Sequence, residues 1–131
     1  MGLYAVAEGV GTKASSQSSH AEGSGTTASG SQSHAEGLGT TANHAYQHVF
    51  GEYNIVDPST AAATARGNYV EIVGNGTSLS EKSNARTLDW SGNESLAGSL
   101  TLGLGTANQT TITAAQLSSL ISLIGIESEV F

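Results

Sequence analysis

The sequence predicts an all-β chain with three parts: a parallel β-roll of 14-residue coils, a small β-meander and a short C-terminal helix. A 14-residue repeat predicts the roll, alternating apolar segments between turn signals predict the meander, and a capped apolar stretch predicts the helix. The predicted segments are the roll at residues 1–54, a linker at 55–66, the meander at 67–103 and a C-terminal helical segment at 104–131.

The composition favours regular β-structure that is stabilised partly by other subunits. Of the 131 residues, 37% are apolar, 11% are charged and 17 are glycine. A compact monomer of this size would use more large apolar side chains to offset the entropy of ordering its chain. The low charge also argues against an ordinary disordered protein, which is rich in charged residues.

The charge and the residue types exclude several function classes. A net charge of −7 with four basic residues argues against nucleic-acid binding, which depends on neutralising phosphates. The chain has no cysteine, so neither disulfides nor cysteine-based zinc sites are expected. We expect no membrane span, because no apolar run approaches the length of a spanning helix, and no signal peptide, because Glu8 stands where a basic region is needed.

Four glycines recur at intervals of 14 residues: Gly9, Gly23, Gly37 and Gly51. The same interval separates three threonines and three alanines, namely Thr12, Thr26 and Thr40, and Ala14, Ala28 and Ala42. A helix would need large apolar residues at helical spacing, and the repeat has none. Two short strands and two turns fit the period, with the glycines allowing positive φ angles at the corners.

Side chains alternate across a strand, so the repeat also predicts which side chains face outward. If Ala21 faces the inside of the coil, its neighbours His20 and Glu22 face the outside or a subunit interface. The coil-to-coil stack then aligns equivalent residues in a ladder. Its acids are Glu8, Glu22 and Glu36, and its histidines are His20, His34 and His48.

The motif SHAEGxGTxASGxQ resembles the head repeat of the YadA-like trimeric autotransporter adhesins, whose unit reads about SVAIGxxAxAxGxxS and is also 14 residues long. The likeness covers residues 5–54. It implies a left-handed parallel β-roll and a homotrimer around a threefold axis. The family has apolar residues where this chain has His20, Glu22, His34 and Glu36, so we expect a polar interface here.

A trimer would repeat each ladder histidine three times in one layer. We expect a structural His–Glu ladder or a solvated face, and therefore no metal and no other cofactor. The alternative is a threefold metal site at His20, His34 or His48, since imidazole is a common metal ligand. If the ladder is buried, trimer stability should respond to pH between about 5 and 7, where histidine titrates.

The middle of the chain contains strand and turn signals. Ile55–Thr60 holds the only proline and predicts a turn or linker. Gly67–Val73 and Ala85–Trp90 predict strands, with Asn75-Gly76 as a turn between them, and Leu96–Leu102 alternates apolar and small residues. Most of the few large aromatic residues are Phe50, Tyr53, Tyr69 and Trp90. Core packing is the expected role of Trp90 and Tyr69, and contact with cell-wall sugars is the alternative for exposed aromatic residues.

Residues 70–78 and 83–103 are similar to the C-terminal region of tail fibre and minor tail proteins of phages and prophages of Gram-positive bacteria. This resemblance implies a place in a virion tail or on an extracellular particle surface. The implied partners are further copies of the chain, other tail or baseplate proteins, and a host cell-surface glycan or protein. The chain begins inside its first repeat, which favours a shortened chain or a separately translated C-terminal piece of a longer fibre protein.

The end of the chain predicts a capped amphipathic helix. Thr113 and Gln116 have the spacing of a capping box, and Gly125 would end the helix. An apolar stripe follows the cap: Leu117, Leu120, Ile121 and Ile124. Such a helix is too short to persist alone in water, so three copies packed on the axis would form a trimer clamp that makes residues 104–131 a trimerisation segment.

The residues do not favour an enzyme. The serines and glycines belong to the repeat and form no nucleophile elbow, and the stacked acids do not face each other across a cleft. The expected function is a trimeric structural and attachment module of a phage-like tail. The alternative is the head of a bacterial trimeric surface adhesin, which would continue into a stalk and membrane anchor. A small trimeric β-helix enzyme is a remote alternative.

Overall fold

Strands and turns make up nearly all of the regular structure in the computed structural model, which describes residues 1–125. The chain forms a β-solenoid of about three turns, further strands and one short helix, α1 (Ala114–Leu123). The last residues of the predicted trimerisation segment, 126–131, lie outside the described residues. The strands are β1 (Val6–Val10), β2 (Lys13–Ala14), β3 (His20–Ser24), β4 (Thr27–Ala28), β5 (His34–Leu38), β6 (Thr41–Ala42), β7 (His48–Glu52), β8 (Tyr69–Asn75), β9 (Asn84–Asp89), β10 (Glu94–Leu96), β11 (Leu100–Leu102) and β12 (Thr110–Ile112).

The predicted 14-residue coil is confirmed by the strand register. Each coil contributes one strand to a long sheet and one to a short sheet, and both sheets are parallel within the solenoid. The long sheet has the order β1-β3-β5-β7-β8-β9-β10, and the short sheet has the order β2-β4-β6. Gly9 lies beside Gly23, and Gly23 lies beside Gly37, so equivalent residues stack without any shift.

Small side chains fill the inside of the solenoid, as the alternation predicts. The core consists of Ala14, Ala21, Ala28, Ala35, Ala42, Val49 and Ile72. Larger residues enter only at the last positions, Val49 and Ile72, both of which are fully buried. Because alanine buries little apolar area, the coils depend strongly on their backbone hydrogen bonds and close stacking.

The repeated glycines are required by close backbone contact. Gly23 lies within β3 and not at a corner as the sequence predicted; its φ is +107°, and a Cβ there would collide with the carbonyl oxygen of Gly37. The next glycine, Gly25, turns the corner with a φ of +64°. Non-glycine residues also adopt positive φ at 14-residue intervals, including Ser18 and Gln32 at +53° and +52°.

Two buried polar ladders run along the solenoid and change residue type at its end: Ser19, Ser33 and Gln47, and Thr26, Thr40 and Asn54. The longer side-chain amides of Gln47 and Asn54 provide the hydrogen-bonding groups that the backbone of a further coil would otherwise have provided. Asn54 Oδ1 accepts from the Thr41 N–H at 2.8 Å, and Asn54 Nδ2 donates to the Thr41 carbonyl at 3.2 Å. Gln47 Oε1 accepts from the Asn43 N–H at 3.0 Å. These bonds cap the edge of the short sheet.

The strands predicted at Gly67–Val73 and Ala85–Trp90 are present as β8 and β9, and they continue the long sheet, whereas Leu96–Leu102 divides between β10 and β11. β8 pairs in parallel with β7, while β9 pairs antiparallel with β8. Residues 55–68, which form most of the connection from β7 to β8, have no regular secondary structure. The segment predicted as a β-meander therefore starts by adding one more parallel strand to the solenoid.

The chain divides into two compact units, Met1–Ser95 and Leu96–Phe131. The second unit contains a β11–β12 hairpin and α1. The predicted capping box is confirmed: the Gln116 N–H donates to Thr113 Oγ1 at 3.1 Å, and the Thr113 N–H donates to Gln116 Oε1 at 3.0 Å. Gly125, the residue expected to end the helix, follows it with a φ of +71°. Within residues 1–125, no helix has the length and apolarity that crossing a membrane requires.

Candidate functional site: the histidine–glutamate ladder

The parallel register of β3, β5 and β7 stacks three imidazole rings on the outer face of the long sheet. The ring centroids of His20 and His34 are 4.6 Å apart, and those of His34 and His48 are 5.0 Å apart. These values match the spacing of neighbouring strands, about 4.8 Å. The interplanar angles are 6° and 14°, so the rings are nearly parallel. The backbone repeat therefore fixes the position of each ring.

Hydrogen bonds link the second and third histidines of the ladder to the acid of the preceding coil. His34 Nε2 donates to Glu22 Oε1 at 3.3 Å, and His48 Nε2 donates to Glu36 Oε1 at 3.2 Å. The distances to the acid of the same strand are longer, 3.9 Å for both His20–Glu22 and His34–Glu36. The ladder thus alternates imidazole and carboxylate groups, and its side chains are about one third exposed.

The pairing pattern stops at the first histidine. His20 Nε2 is shielded from solvent but has no hydrogen-bond partner. The register places Glu8 one coil before Glu22, where a ladder partner of His20 would be expected, but Glu8 is exposed. Buried polar atoms in folded proteins nearly always have a partner, so this nitrogen is the exceptional atom of the ladder.

The ladder also alters the acidity of one of its carboxyl groups. Burial by itself would raise the pKa of Glu36, but hydrogen bonds with His48 and Glu22 and the charges of His34 and His48 lower it below its ordinary value of 4.5. Glu36 therefore keeps its negative charge at pH values where a free glutamate would begin to gain a proton.

An open groove of about 500 Å³ lies beside the ladder. Two acids and one aromatic ring contribute side chains to it, and three repeat glycines form the rest of its lining: Glu22, Glu36, Phe50, Gly23, Gly37 and Gly51. The Phe50 ring lies on the same strand as His48, 5.1 Å from its ring and tilted by 36°. The glycines required for coil stacking thus also leave room for the groove.

The other residues singled out from the sequence lie elsewhere. The stripe of α1 is exposed in this chain, with Leu117, Leu120, Ile121 and Ile124 between 41% and 56% accessible. Tyr69 packs against the alanine core, as expected. The guanidinium of Arg66 covers the Trp90 ring, 4.2 Å from its centroid.

Asp57 is the residue of structural importance that the sequence reading missed. It is 2% exposed, and its carboxylate accepts hydrogen bonds from three separate parts of the chain. Oδ2 accepts from Gln47 Nε2 at 3.0 Å and from the backbone N–H groups of Asn68 and Tyr69 at 2.8 and 3.0 Å, while Oδ1 accepts from the Ser59 N–H. A fully bonded buried carboxylate is structural, and only its position before the single proline hinted at it.

The ladder offers imidazole nitrogens and carboxylate oxygens, which bind protons and metal cations. No protein-family model, curated protein or solved structure matches this chain. Functional inference therefore starts from the chemistry of its own residues and from its motif resemblances.

Proposed function

We propose that the chain is a non-enzymatic, homotrimeric structural and attachment module of a phage or phage-derived tail, in which three left-handed β-rolls pack around a common axis. One observation carries the self-association. Residues 96–125 contain no Asp, Glu, Lys, Arg or His, yet their large aliphatic side chains are exposed in the single chain.

The exposed aliphatic residues of this segment are numerous for its length: Leu96, Leu100, Leu102, Leu104, Leu117, Leu120, Ile121, Leu123 and Ile124. None of the described residues of the second unit is buried. Covering one leucine or isoleucine contributes about 1.5–3 kcal/mol, so copies of the segment gain by packing together. A ten-residue helix is also too short to be stable alone, and association would supply the missing packing.

The solenoid suits a structural role. Its coils stack in exact register with fully buried alanines, which gives a regular body with little room for rearrangement. The outer ladder is polar, as expected for an interface between rolls that replaces the apolar one of the adhesin family. The assignment to a phage tail is supported by the sequence resemblance of residues 70–78 and 83–103 to tail proteins. We assign host recognition to the whole assembly and not to one segment of the chain.

Light scattering on the full chain tests the assembly. We expect a particle of 39.6 kDa, three times the 13.2 kDa chain mass. Leu120→Glu places a charge in the apolar stripe and should shift the mass toward the monomer at about 1 µM, while Ser119→Glu, next to it on the other side of α1, should leave the trimer intact. A wild-type monomer up to about 100 µM would contradict the proposal.

Binding to purified Gram-positive cell walls tests the attachment role separately. The wild-type trimer should be retained more strongly than the Leu120→Glu variant, because three linked sites gain avidity without new contacts. The Ser119→Glu variant is the matched control and should behave as the wild type. Retention no greater than that of an unrelated acidic protein would remove the attachment role and leave the structural one in place.

A further inference from the structure

We propose that His20, Glu22 and His34 form an intrachain binding site for a divalent first-row transition metal of the Zn²⁺ class. One ligand atom from each residue lies within 4.8 Å of the other two. All three side chains stand on β3 and β5, whose pairing is fixed by the backbone register. The site needs one chain only, so it does not depend on the trimer or on the proposed tail function.

The distances are close to those of a coordinated ion. His34 Nε2 lies 3.3 Å from Glu22 Oε1, and His20 Nε2 lies 3.9 Å from Glu22 Oε2. Ligand atoms about 2.0–2.1 Å from a tetrahedral Zn²⁺ are about 3.4 Å apart. Because the three side chains are about one third exposed and their ligand atoms already lie within 4.8 Å of one another, side-chain rotations alone would bring them around one ion.

The unpaired nitrogen of His20 gives the second argument. The other two ladder histidines donate from Nε2 to the acid of the coil before, whereas His20 Nε2 is shielded from solvent without a partner. A metal ion held with Glu22 and His34 would satisfy this nitrogen. The next set along the ladder differs, because both of its histidines already donate to a ladder acid: His34 to Glu22 at 3.3 Å and His48 to Glu36 at 3.2 Å. Within residues 1–125, only the His20 set brings three such ligand atoms together.

The ligand types select the class of ion. Two imidazoles and one carboxylate suit Zn²⁺, Co²⁺, Ni²⁺ or Cu²⁺, whereas Ca²⁺ and Mg²⁺ prefer six or more oxygen ligands. Three protein ligands also leave at least one coordination position open. Because protons compete with a metal ion for imidazole and carboxylate ligand atoms, affinity should fall as the pH is lowered.

Calorimetric titration of the full chain with Zn²⁺ tests the site. We expect about one ion per chain, and at least a tenfold rise in Kd for each of His20→Asn, Glu22→Gln and His34→Asn. His48→Asn is the matched control, because it removes a histidine at the equivalent repeat position outside the site. Glu8→Gln is a second control. Both should keep Kd within about twofold of the wild type, with circular dichroism checking that each variant is folded.

Cobalt absorption gives a readout that needs no variant. Bound Co²⁺ should show the intense visible bands of a four- or five-coordinate nitrogen and oxygen site, and EDTA should remove them. A spectrum identical to aqueous Co²⁺, or no Zn²⁺ binding at about 100 µM, would overturn the proposal. An equal loss of affinity in His48→Asn and His20→Asn would also overturn it, because the whole ladder would then bind ions diffusely.

Discussion

The solenoid buries small apolar side chains, whereas the C-terminal unit leaves larger ones exposed. In the solenoid, Ala21, Ala28, Ala35 and Ala42 are fully buried by coils of the same chain. In residues 96–125 no residue is buried, although leucine and isoleucine are frequent there. A repeat covers itself by stacking, whereas a unique hairpin and helix must find another surface.

Charge follows the same division. The titrating residues of the described chain all lie before residue 96, and the His–Glu ladder runs along the solenoid. The solenoid should therefore carry the response of this protein to pH and metal ions. Residues 96–125, which carry no charged side chain, should instead respond to chain concentration, because association covers their apolar side chains.

The largest expected effect is a break in coil stacking at Gly37. Gly37→Ala adds a methyl group against the carbonyl oxygen of Gly51 at a φ of +101°, so both clash and backbone strain oppose folding. We expect a loss of about 4 kcal/mol in the free energy of unfolding, measured by urea denaturation.

Gly25→Ala separates these two causes. Gly25 also has a positive φ, +64°, but the nearest atoms to an added Cβ lie 3.9 Å away. The expected loss is about 1 kcal/mol, from backbone strain alone. Equal losses in both variants would show that close contact between coils is not what requires Gly37.

Asp57→Ala tests whether the solenoid depends on the segment that leads into β8. The change leaves four donors without their acceptor, among them the buried amide of Gln47. We expect a loss of about 2–3 kcal/mol in the free energy of unfolding. The matched control is Asp89→Ala, since Asp89 is a partly exposed acid that also accepts from turn donors, and its loss should be clearly smaller. An equally small loss for Asp57→Ala would mean that the solenoid ends independently at β7.

The sequence predicts the coils well because every coil repeats the same 14-residue pattern of strands and turns. The 14-residue interval determines the register, and the alternation around Ala21 determines which side chains enter the core. The end of the solenoid was harder to predict. Asn54 and Gln47 each depart from the repeat only once. Their side chains accept backbone hydrogen bonds that a further coil would have accepted, and this role is recognised only when the last coil of the solenoid is known. The parallel pairing of β8 is likewise hidden by the 55–68 segment.

The candidate site shows the same limit. Alternation predicts that His20, Glu22 and His34 share the outer face, and the structure confirms this. The alternation does not predict which acid is the hydrogen-bond partner of each histidine, because the pairing depends on the side-chain rotamers in neighbouring coils. Only the three-dimensional structure therefore reveals that His20 Nε2 is shielded from solvent and lacks a hydrogen-bond partner.

The smallest expected effect is a loss of solenoid stability in acid. His34, His48 and Glu22 face Glu36, and together they hold its pKa below 4.5 in the folded chain. The stability that this provides is fully present above about pH 4.5 and is lost as the pH falls through the folded-state pKa. Because Glu36 is partly exposed, we expect Glu36→Gln to change the melting temperature by only about 1–3 °C at pH 6, and the difference to shrink toward pH 3.5. Glu81→Gln, which removes an exposed acid outside the ladder, should leave the pH profile unchanged. If Glu36→Gln and the wild type keep a constant difference over this range, the ladder does not couple protonation to solenoid stability.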